Sequence, residues 1–192
     1  MKKFLTLIII IFSTTSSINA EEIKRIFVGN KDAKITIIAF ESLTCSHCAS
    51  FHKDVYPQLK KEYLDTGLAK IEFRHFPLDV AAFNASKVSQ CKNDGDSEIL
   101  NSLFANQQKW VKGNSVEEAN KNLQKFLISQ SFDINFEKCI NNKEIEDFVL
   151  NDRIDGVKKF KVNATPTIVI NNKKFEKTLN YKNLKKALEK LI

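Results

Sequence analysis

Two cysteines separated by two residues, Cys45 and Cys48, have the spacing in this chain that most directly indicates chemistry. Such a pair can alternate between a dithiol and a disulfide. The spacing could instead form a structural disulfide, but a bridge over two residues closes a very small loop and constrains little of the unfolded chain. It could also supply half of a zinc site, although only His52 follows closely and no fourth ligand is evident. Redox chemistry, with no metal, is therefore the favoured interpretation.

The position of the cysteine pair supports this interpretation. Residues 35–41 form an apolar run that predicts a strand, and residues 49–64 carry an apolar stripe with a spacing of four, which predicts a helix. The pair therefore stands at a strand-to-helix turn. A helix N-terminus carries partial positive charge and free amide donors, and both favour a thiolate over a thiol. A protonated His47 would act in the same direction.

The remaining pattern predicts an α/β protein. Alternation at residues 70–76 predicts a second strand, and residues 79–162 contain helical stripes but no convincing strand. Strand character returns at residues 167–170, followed by an Asn-Asn turn, a return strand at residues 173–177 and a final amphipathic helix. Without the helical block, this order of elements is the thioredoxin arrangement, which carries a Cys-x-x-Cys pair at its first strand-to-helix turn.

Four side chains carry further expectations. Pro57 lies inside the first predicted helix and predicts a kink near residue 54. His52 is expected on the surface of that helix. His75, near the end of the second strand, is expected to be a structural histidine, and Trp110 is expected in the core of the helical block or in a groove wall.

Three segments resemble the DsbA family of periplasmic thiol-disulfide oxidoreductases, which belongs to the thioredoxin superfamily. Residues 40–55, FESLTCSHCASFHKDV, resemble its active-site region. Residues 65–79 resemble its next strand, and residues 160–167 resemble its cis-proline loop. The resemblance covers nearly all of residues 29–192 and implies an α/β thioredoxin fold with an inserted all-helical domain.

This resemblance implies a division of the chain. Residues 21–78 would form the first part of the thioredoxin-like domain, residues 79–162 the helical insertion, and residues 163–192 the second part. Residues 1–20 are interpreted separately, as a signal peptide.

The resemblance also implies the roles of the site residues. Cys45 would be the exposed nucleophile, Cys48 would resolve the mixed disulfide, and His47 would stabilise the Cys45 thiolate. Thr165 and Pro166 match the cis-proline pair, whose backbone can pair with an extended substrate strand. The alternative is an ordinary trans proline at the start of a strand.

One position departs from the family pattern. Many members carry a buried acid on the first strand, where this chain has Ala39. Glu41 lies two residues further and, by strand alternation, faces the same side. It is a candidate proton relay to Cys48, and the alternative is an exposed acid at the end of the strand.

Cys91 and Cys139 form the second pair of cysteines. Four cysteines allow three pairings, and the sequence alone does not select one. Because Cys45 and Cys48 are adjacent, the other two are the expected partners, in a structural disulfide within the helical block. The alternative is two buried free thiols.

The N-terminus predicts export. Residues 1–20 have a basic start, a short apolar run and a small polar end, as in a secretory signal peptide. Either cleavage after Ala20 or retention as an anchor is compatible with this pattern. Export to the periplasm would bring the cysteines into an oxidising compartment. The net charge of +7 comes from lysines interleaved with acids, so nucleic-acid binding is not expected.

These features together predict an exported oxidoreductase that introduces disulfides into secreted proteins, without a bound cofactor. Its expected partners are unfolded or reduced exported proteins, and the resemblance implies a DsbB-type membrane partner for reoxidation. Isomerase relatives usually carry an N-terminal dimerisation segment, whereas here only about fourteen residues separate the expected cleavage site from the first predicted strand, so a monomer is expected. Two alternatives remain open: an isomerase or reductase with the same chemistry, and a redox-inert binding module or metal chaperone on the same fold.

Overall fold

The structure is a computed structural model that describes residues 22–192, and the predicted signal peptide lies outside these residues. One mixed sheet has the strand order β1-β3-β2-β4-β5. β2 and β3 are parallel, and the other neighbours are antiparallel. The strands are β1 (Phe27–Gly29), β2 (Ile35–Glu41), β3 (Ala69–His75), β4 (Thr167–Ile170) and β5 (Lys173–Lys174).

Helices cover the sheet and form all of the regular structure between β3 and β4. They are α1 (Ser46–Asp54), α2 (Tyr56–Leu59) with a π-helical turn (Lys60–Leu64), α3 (Val80–Gln90), α4 (Glu98–Ala105), α5 (Gln107–Trp110), α6 (Val116–Ser129), α7 (Phe136–Ile140), α8 (Lys143–Phe160) and α9 (Tyr181–Leu188). The predicted α/β class and thioredoxin arrangement are confirmed. In residues 22–192 no helix has both the length and the apolar character needed to cross a membrane.

The central strand β2 is buried on both faces. Ile37 and Ala39 pack into the main core, while Ile38 and Phe40 pack into a second cluster on the other face. A strand covered on both faces reads as a continuous apolar run, as residues 35–41 do. α8 lies close to this second face. A Cβ at Gly156 would be only 3.0 Å from the Phe40 ring, so a glycine suits this position.

The predicted kink in the first helix is confirmed. α1 ends at Asp54, Val55 separates it from α2, and Pro57 lies in the first turn of α2. Proline is tolerated there because its missing N–H has no partner within the first turn of a helix.

Two strands differ from the prediction. The first strand predicted from the sequence begins at residue 35, but β1 lies before it and pairs with β3, with Phe27 opposite Glu72. Three residues with an exposed first position give no alternating pattern to detect. The return strand β5 is also shorter than expected, although the predicted turn before it is present, with positive φ at Asn171 and Asn172.

A buried carboxylate joins α8 to the sheet. Asp152 is 2% exposed, and its Oδ1 accepts a hydrogen bond of 2.7 Å from Arg25. Its Oδ2 accepts the backbone N–H of His75 at 3.0 Å. His75 is buried, its pKa is lowered by burial, and its ring lies 3.3 Å from the amide oxygen of Gln90. The imidazole is therefore held within a structural network.

Trp110 lies in the main core, within the helical segment between β3 and β4. Its side chain is 1% exposed, and its indole Nε1 donates a hydrogen bond of 2.9 Å to the carbonyl oxygen of Leu103. This contact fixes α5 against α4.

A disulfide joins α3 to α7. Cys91, at the end of α3, is bonded to Cys139 in α7, with 5.5 Å between their Cα atoms. The bond closes a loop with a sequence separation of 48. In the chain-entropy account, a loop of that length stabilises the folded state by about 4 kcal/mol.

We predict that the double variant Cys91→Ser, Cys139→Ser loses about 4 kcal/mol of unfolding free energy, because its unfolded chain is no longer constrained. Urea unfolding of the variant and the parent protein measures the difference. Reaction of Cys45 with a disulfide reagent should be unchanged, which serves as the control. An unaltered unfolding free energy would contradict a stabilising role for the bond.

Candidate active site

The turn between β2 and α1 places the two remaining cysteines. Cys45 has extended backbone angles and is the N-cap of α1, and its carbonyl oxygen accepts the N–H groups of Cys48 and Ala49 at 3.1 Å each. Its own N–H donates to the carbonyl oxygen of Ser42 at 3.0 Å. Cys45 is half-buried and Cys48 is fully buried one turn further along, so only one of the two sulfurs faces the surface.

The start of the helical segment holds this turn from one side. Thr44 Oγ1 donates a hydrogen bond of 2.7 Å to Asp79, which also caps α3 by accepting the N–H of Ala82 at 2.7 Å. The N–H of Leu78 donates to Ser42 Oγ at 3.3 Å. A single carboxylate therefore fixes the active-site turn and the first inserted helix together.

Gln107 holds the same turn from another side. Its amide Nε2 donates hydrogen bonds to the carbonyl oxygens of Leu43, at 2.8 Å, and Cys45, at 3.0 Å. Sequence reasoning missed this residue because a glutamine in a polar run gives no signal of its own, and the contact spans more than sixty residues.

The thiol of Cys45 is strongly acidified. Its pKa is lowered from 9.0 to about 5, mainly by a hydrogen bond from the Cys48 thiol. Partial burial opposes this effect, while Thr165 and then the backbone amides of Cys48 and His47, at the start of α1, add to it. Amides at a helix N-terminus favour a thiolate because they are unpaired donors at the positive end of the helix dipole.

The thiol of Cys48 is shifted in the opposite direction. Burial raises its pKa, and the hydrogen bond that it gives to Cys45 and the charge of Glu41 raise it further. At neutral pH the pair is thus a Cys45 thiolate beside a Cys48 thiol.

Glu41 and His52 form a buried pair beside the cysteines. Glu41 is 4% exposed, and its Oε2 lies 2.9 Å from His52 Nε2. The His52 ring stacks on Phe104, with 4.1 Å between ring centroids. The expected surface position of His52 is therefore wrong: its side chain is only 6% exposed, and the pattern of apolar residues alone did not predict its burial.

The carboxyl of Glu41 titrates above its ordinary range. Burial raises its pKa, His52 opposes this, and a charge on Cys45 raises it. Its second oxygen, Oε1, is buried and has no hydrogen-bond partner among residues 22–192. Glu41 therefore faces inward on the same side as Ala39, as strand alternation predicts. The alternative, an exposed acid at the end of the strand, is wrong.

The loop before β4 completes the site. The antiparallel register of β2 and β4 places Phe40 opposite Thr167, so the residues before Thr167 lie beside the active-site turn. The Thr165–Pro166 peptide bond is cis, and the carbonyl oxygen of Thr165 lies 3.3 Å from Cys45 Sγ.

A groove runs beside this loop, with a volume of about 480 Å³. Its lining combines apolar and polar side chains from α1, the loop and the start of α9, including His47, Phe51, Asp54, Pro166, Leu179 and Tyr181. The side chain of His47 is exposed on this groove.

The structure thus brings together Cys45, Cys48, Glu41 and the Thr165–Pro166 pair, with His47 at the edge. The Cys91–Cys139 disulfide contributes no side chain to the groove. Within residues 22–192, no three His, Cys, Asp or Glu side chains are grouped so as to hold a metal ion.

Comparison with known proteins gives matches over most of the chain. A family model described as thioredoxin matches residues 21–190. The disulfide bond formation protein D of Bacillus subtilis is 27% identical over 175 residues, which cover 85% of this chain and 75% of that protein. A relative from Rickettsia bellii, whose name assigns it provisionally to the protein-disulfide oxidoreductases, is 27% identical over 167 residues. These cover 86% of this chain but 63% of the relative, so the chain spans less than two thirds of its length.

Solved structures show the same relationship. The crystal structure of alpha-DsbA1 from Wolbachia pipientis has a TM-score of 0.77 and 29% identity, and the match covers 87% of this chain and 90% of that chain. Oxidised BdbD from Bacillus subtilis has a TM-score of 0.68 and 27% identity, covering 86% and 91%. Since both the family model and these structures match nearly all of the described fold, including its helical segment, this chain is a DsbA-like member of the thioredoxin family.

Proposed function

We propose that this chain is an exported thiol-disulfide oxidoreductase that introduces disulfides into secreted proteins. The opposite pKa shifts of Cys45 and Cys48 carry this proposal. A stabilised Cys45 thiolate makes the reduced form more stable, which makes the disulfide form a stronger oxidant. The names of the relatives and structural neighbours agree with this chemistry.

The proposed reaction has two exchange steps. A substrate thiolate attacks Cys45 Sγ in the Cys45–Cys48 disulfide, the bond between the two cysteines breaks, and Cys48 leaves and takes up a proton. A second substrate thiolate then attacks the substrate sulfur of the mixed disulfide, and Cys45 leaves as a thiolate. The substrate loses two electrons and the protein gains them. The low pKa of Cys45 makes it a good leaving group in the second step.

Each predicted site residue has a proposed role in these steps. Cys45 reacts with the substrate. Cys48 is the leaving group when the substrate attacks the Cys45–Cys48 disulfide, and in the reverse direction it resolves the mixed disulfide. A protonated His47 adds to the stabilisation of the Cys45 thiolate. Glu41 relays the proton of Cys48. The backbone at Thr165, which lies beside Cys45 Sγ, pairs with an extended segment of the substrate, and the adjoining groove receives its side chains.

The proposed partners follow from this chemistry. Broad main-chain recognition suits reduced, unfolded exported proteins as substrates. After each turnover the dithiol needs an oxidant, for which we propose a membrane partner of the DsbB type. We also propose that the protein works as a monomer in the periplasm, to which residues 1–20 would direct it.

The function is tested by mixing the oxidised protein with a reduced, unfolded protein that needs disulfides for its activity. We expect loss of substrate thiols together with reduction of Cys45 and Cys48, and Cys45→Ser serves as the inactive control. Rearrangement of wrongly paired disulfides without net thiol loss would instead establish an isomerase. Absence of both reactions would leave only a redox-inert module and contradict the proposal.

We predict that the reduced protein is stabilised by ionisation of Cys45. Because the folded pKa of about 5 lies below the ordinary 9.0, this contribution is fully present above pH 9.0 and is lost as the pH falls through 5. Ultraviolet thiolate absorbance, with Cys45→Ser as the blank, measures the folded pKa. Cys48→Ala should raise it, since the Cys48 thiol is the largest cause of the shift. An unshifted Cys45 pKa would overturn this account.

We predict that His47→Leu raises the pKa of Cys45 by up to about one unit, because it removes an imidazole that stabilises the thiolate when it is protonated, but keeps the backbone amide at that position. The protein should become a correspondingly weaker oxidant. The same absorbance titration, repeated in high salt, checks this, since screening should shrink the difference between wild type and variant. Equal pKa values at low salt would show that only the amide matters.

We predict that Gln107→Glu raises the pKa of Cys45 by about one unit or more, because a carboxylate would face the carbonyl oxygens of Leu43 and Cys45 in place of a donor. Gln107→Ala, which removes the two hydrogen bonds without adding charge, should have a smaller effect. Gln108→Glu adds the same charge at the neighbouring position and is the matched control. Equal shifts from both Glu variants would argue against a specific role for Gln107.

A further inference from the structure

The positive charge of the described chain is concentrated in its last two elements. Residues 22–170 carry 21 basic and 20 acidic side chains, so their net charge is +1. Residues 171–192 carry seven lysines and two glutamates, so their net charge is +5. These last residues include β5 and α9. The interleaving of lysines with acids that holds along most of the sequence therefore ends at residue 171.

Three of these lysines form a row along the exposed side of α9. Lys182 and Lys186 lie in the helix and Lys190 in the turn that follows it, at intervals of four residues, and all three side chains are exposed. The opposite side of the helix carries Leu184 and Leu188, which are buried in the main core. The lysine row thus faces solvent along the whole helix.

The lysine row has no acidic partner within residues 22–192. The ion pairs of this part of the chain are Lys185–Glu62, at 2.7 Å, and Lys174–Glu176, at 3.9 Å, and neither includes a member of the row. By contrast, α8 pairs two of its lysines with acids one turn away.

The lysine row opposes folding rather than supporting it. Like charges one turn apart on a helix repel each other. Lys182 also lies in the first turn of α9, where the helix dipole disfavours a cation. Since α9 itself, Tyr181–Leu188, contains no acid to offset these charges, the stability of the fold does not account for the row.

The lysine row begins at the substrate groove. Tyr181, the first residue of α9, lines that groove, and Lys182 follows it directly. Further along the helix, Lys185 Nζ contacts Glu62 of the π-helical turn, which follows α1 and α2 at the end remote from the active-site turn. The row therefore leads away from the groove along the side of the protein.

We propose that the lysine row binds an acidic, extended segment of the substrate protein, so that reduced proteins with acidic residues near a cysteine are oxidised fastest. This inference rests on the proposed function and specifies its substrate class. The spacing suits such a segment, because four helical residues advance about 6 Å and two residues of an extended chain advance about 6.6 Å. Acids at alternate positions would therefore meet successive lysines.

The groove itself has the opposite preference. Among the described residues that line it, Asp54 is the one carboxylate. An acid held inside the groove would be repelled by Asp54, whereas an acid beyond the groove would meet Lys182. The favoured acidic residues therefore lie several positions from the substrate cysteine and not next to it.

An anionic membrane fits the lysine row less well than a peptide does. A helix that lies on a membrane buries its apolar side among the lipids, whereas Leu184 and Leu188 are buried within this protein. A single line of charges also matches an extended chain better than it matches a plane.

Oxidation rates of matched peptides test the inference. Each reduced peptide carries two cysteines that can join in a disulfide. One peptide has Glu at three alternate positions, starting several residues beyond the cysteines on either side, and its partner has Gln there. Acid quench and mass spectrometry measure the second-order rate with the oxidised protein. We expect the Glu peptide to react on the order of 10-fold faster at low salt, and the difference to vanish towards 1 M salt, where charges are screened within about 3 Å.

Paired lysine variants locate the effect. Lys182→Gln combined with Lys186→Gln should lower the ratio of the two rates by about threefold or more. The matched control is Lys121→Gln combined with Lys125→Gln, which removes two exposed lysines at the same spacing on α6 and should keep the wild-type ratio. Lys182→Glu combined with Lys186→Glu should make the Gln peptide the faster substrate.

The outcomes separate this inference from the proposed function. If the wild type oxidises both peptides equally fast, or the α6 control lowers the ratio as much as the α9 variant, the inference is wrong and the proposed function stands. Equal peptide rates together with lysine-dependent binding to phosphatidylglycerol vesicles would assign the row to a membrane surface instead. If the wild type oxidises neither peptide, the proposed function fails and this inference fails with it.

Discussion

The carbonyl oxygen of Cys45 receives hydrogen bonds from two directions. The amides of Cys48 and Ala49 bind it from within α1, and Gln107 binds it from the inserted helical segment. These hydrogen bonds fix the N-terminus of α1. At this N-terminus, Cys45 Sγ lies 3.3 Å from the carbonyl oxygen of Thr165. The helical segment therefore orients the reactive turn as well as covering the sheet.

Burial raises the pKa of Cys48, whereas the more exposed Cys45 has a lowered pKa. α1 carries both Cys48 and His52, whose side chains are buried, and the end of β2 places Glu41 against them. A carboxyl in such a place is costly unless it is paired or neutral. The imidazole supplies the partner, and the raised pKa of Glu41 makes the neutral form accessible. The site thus keeps one sulfur ionised at the surface and one protonated below it.

Local signals were enough to predict much of this fold. The apolar run of β2, the alternation in β3, the cysteine pair and the interruption near Val55 depend on residues that are neighbours in the chain. β1 was missed because three residues give no period. His52 was misplaced because a helix face was judged from its apolar members, and an imidazole buried against a carboxyl breaks that pattern. Gln107 depends on a contact between distant segments, which no local pattern records.

The central claim is that this site stabilises the reduced form of the Cys45–Cys48 pair. The reduction potential of the pair, measured at pH 7 by equilibration with defined mixtures of reduced and oxidised glutathione, tests it most directly. The account predicts a potential above about −200 mV, so that the pair stays reduced in mixtures that would oxidise an ordinary dithiol. A potential near about −270 mV, typical of a reductant, would contradict it.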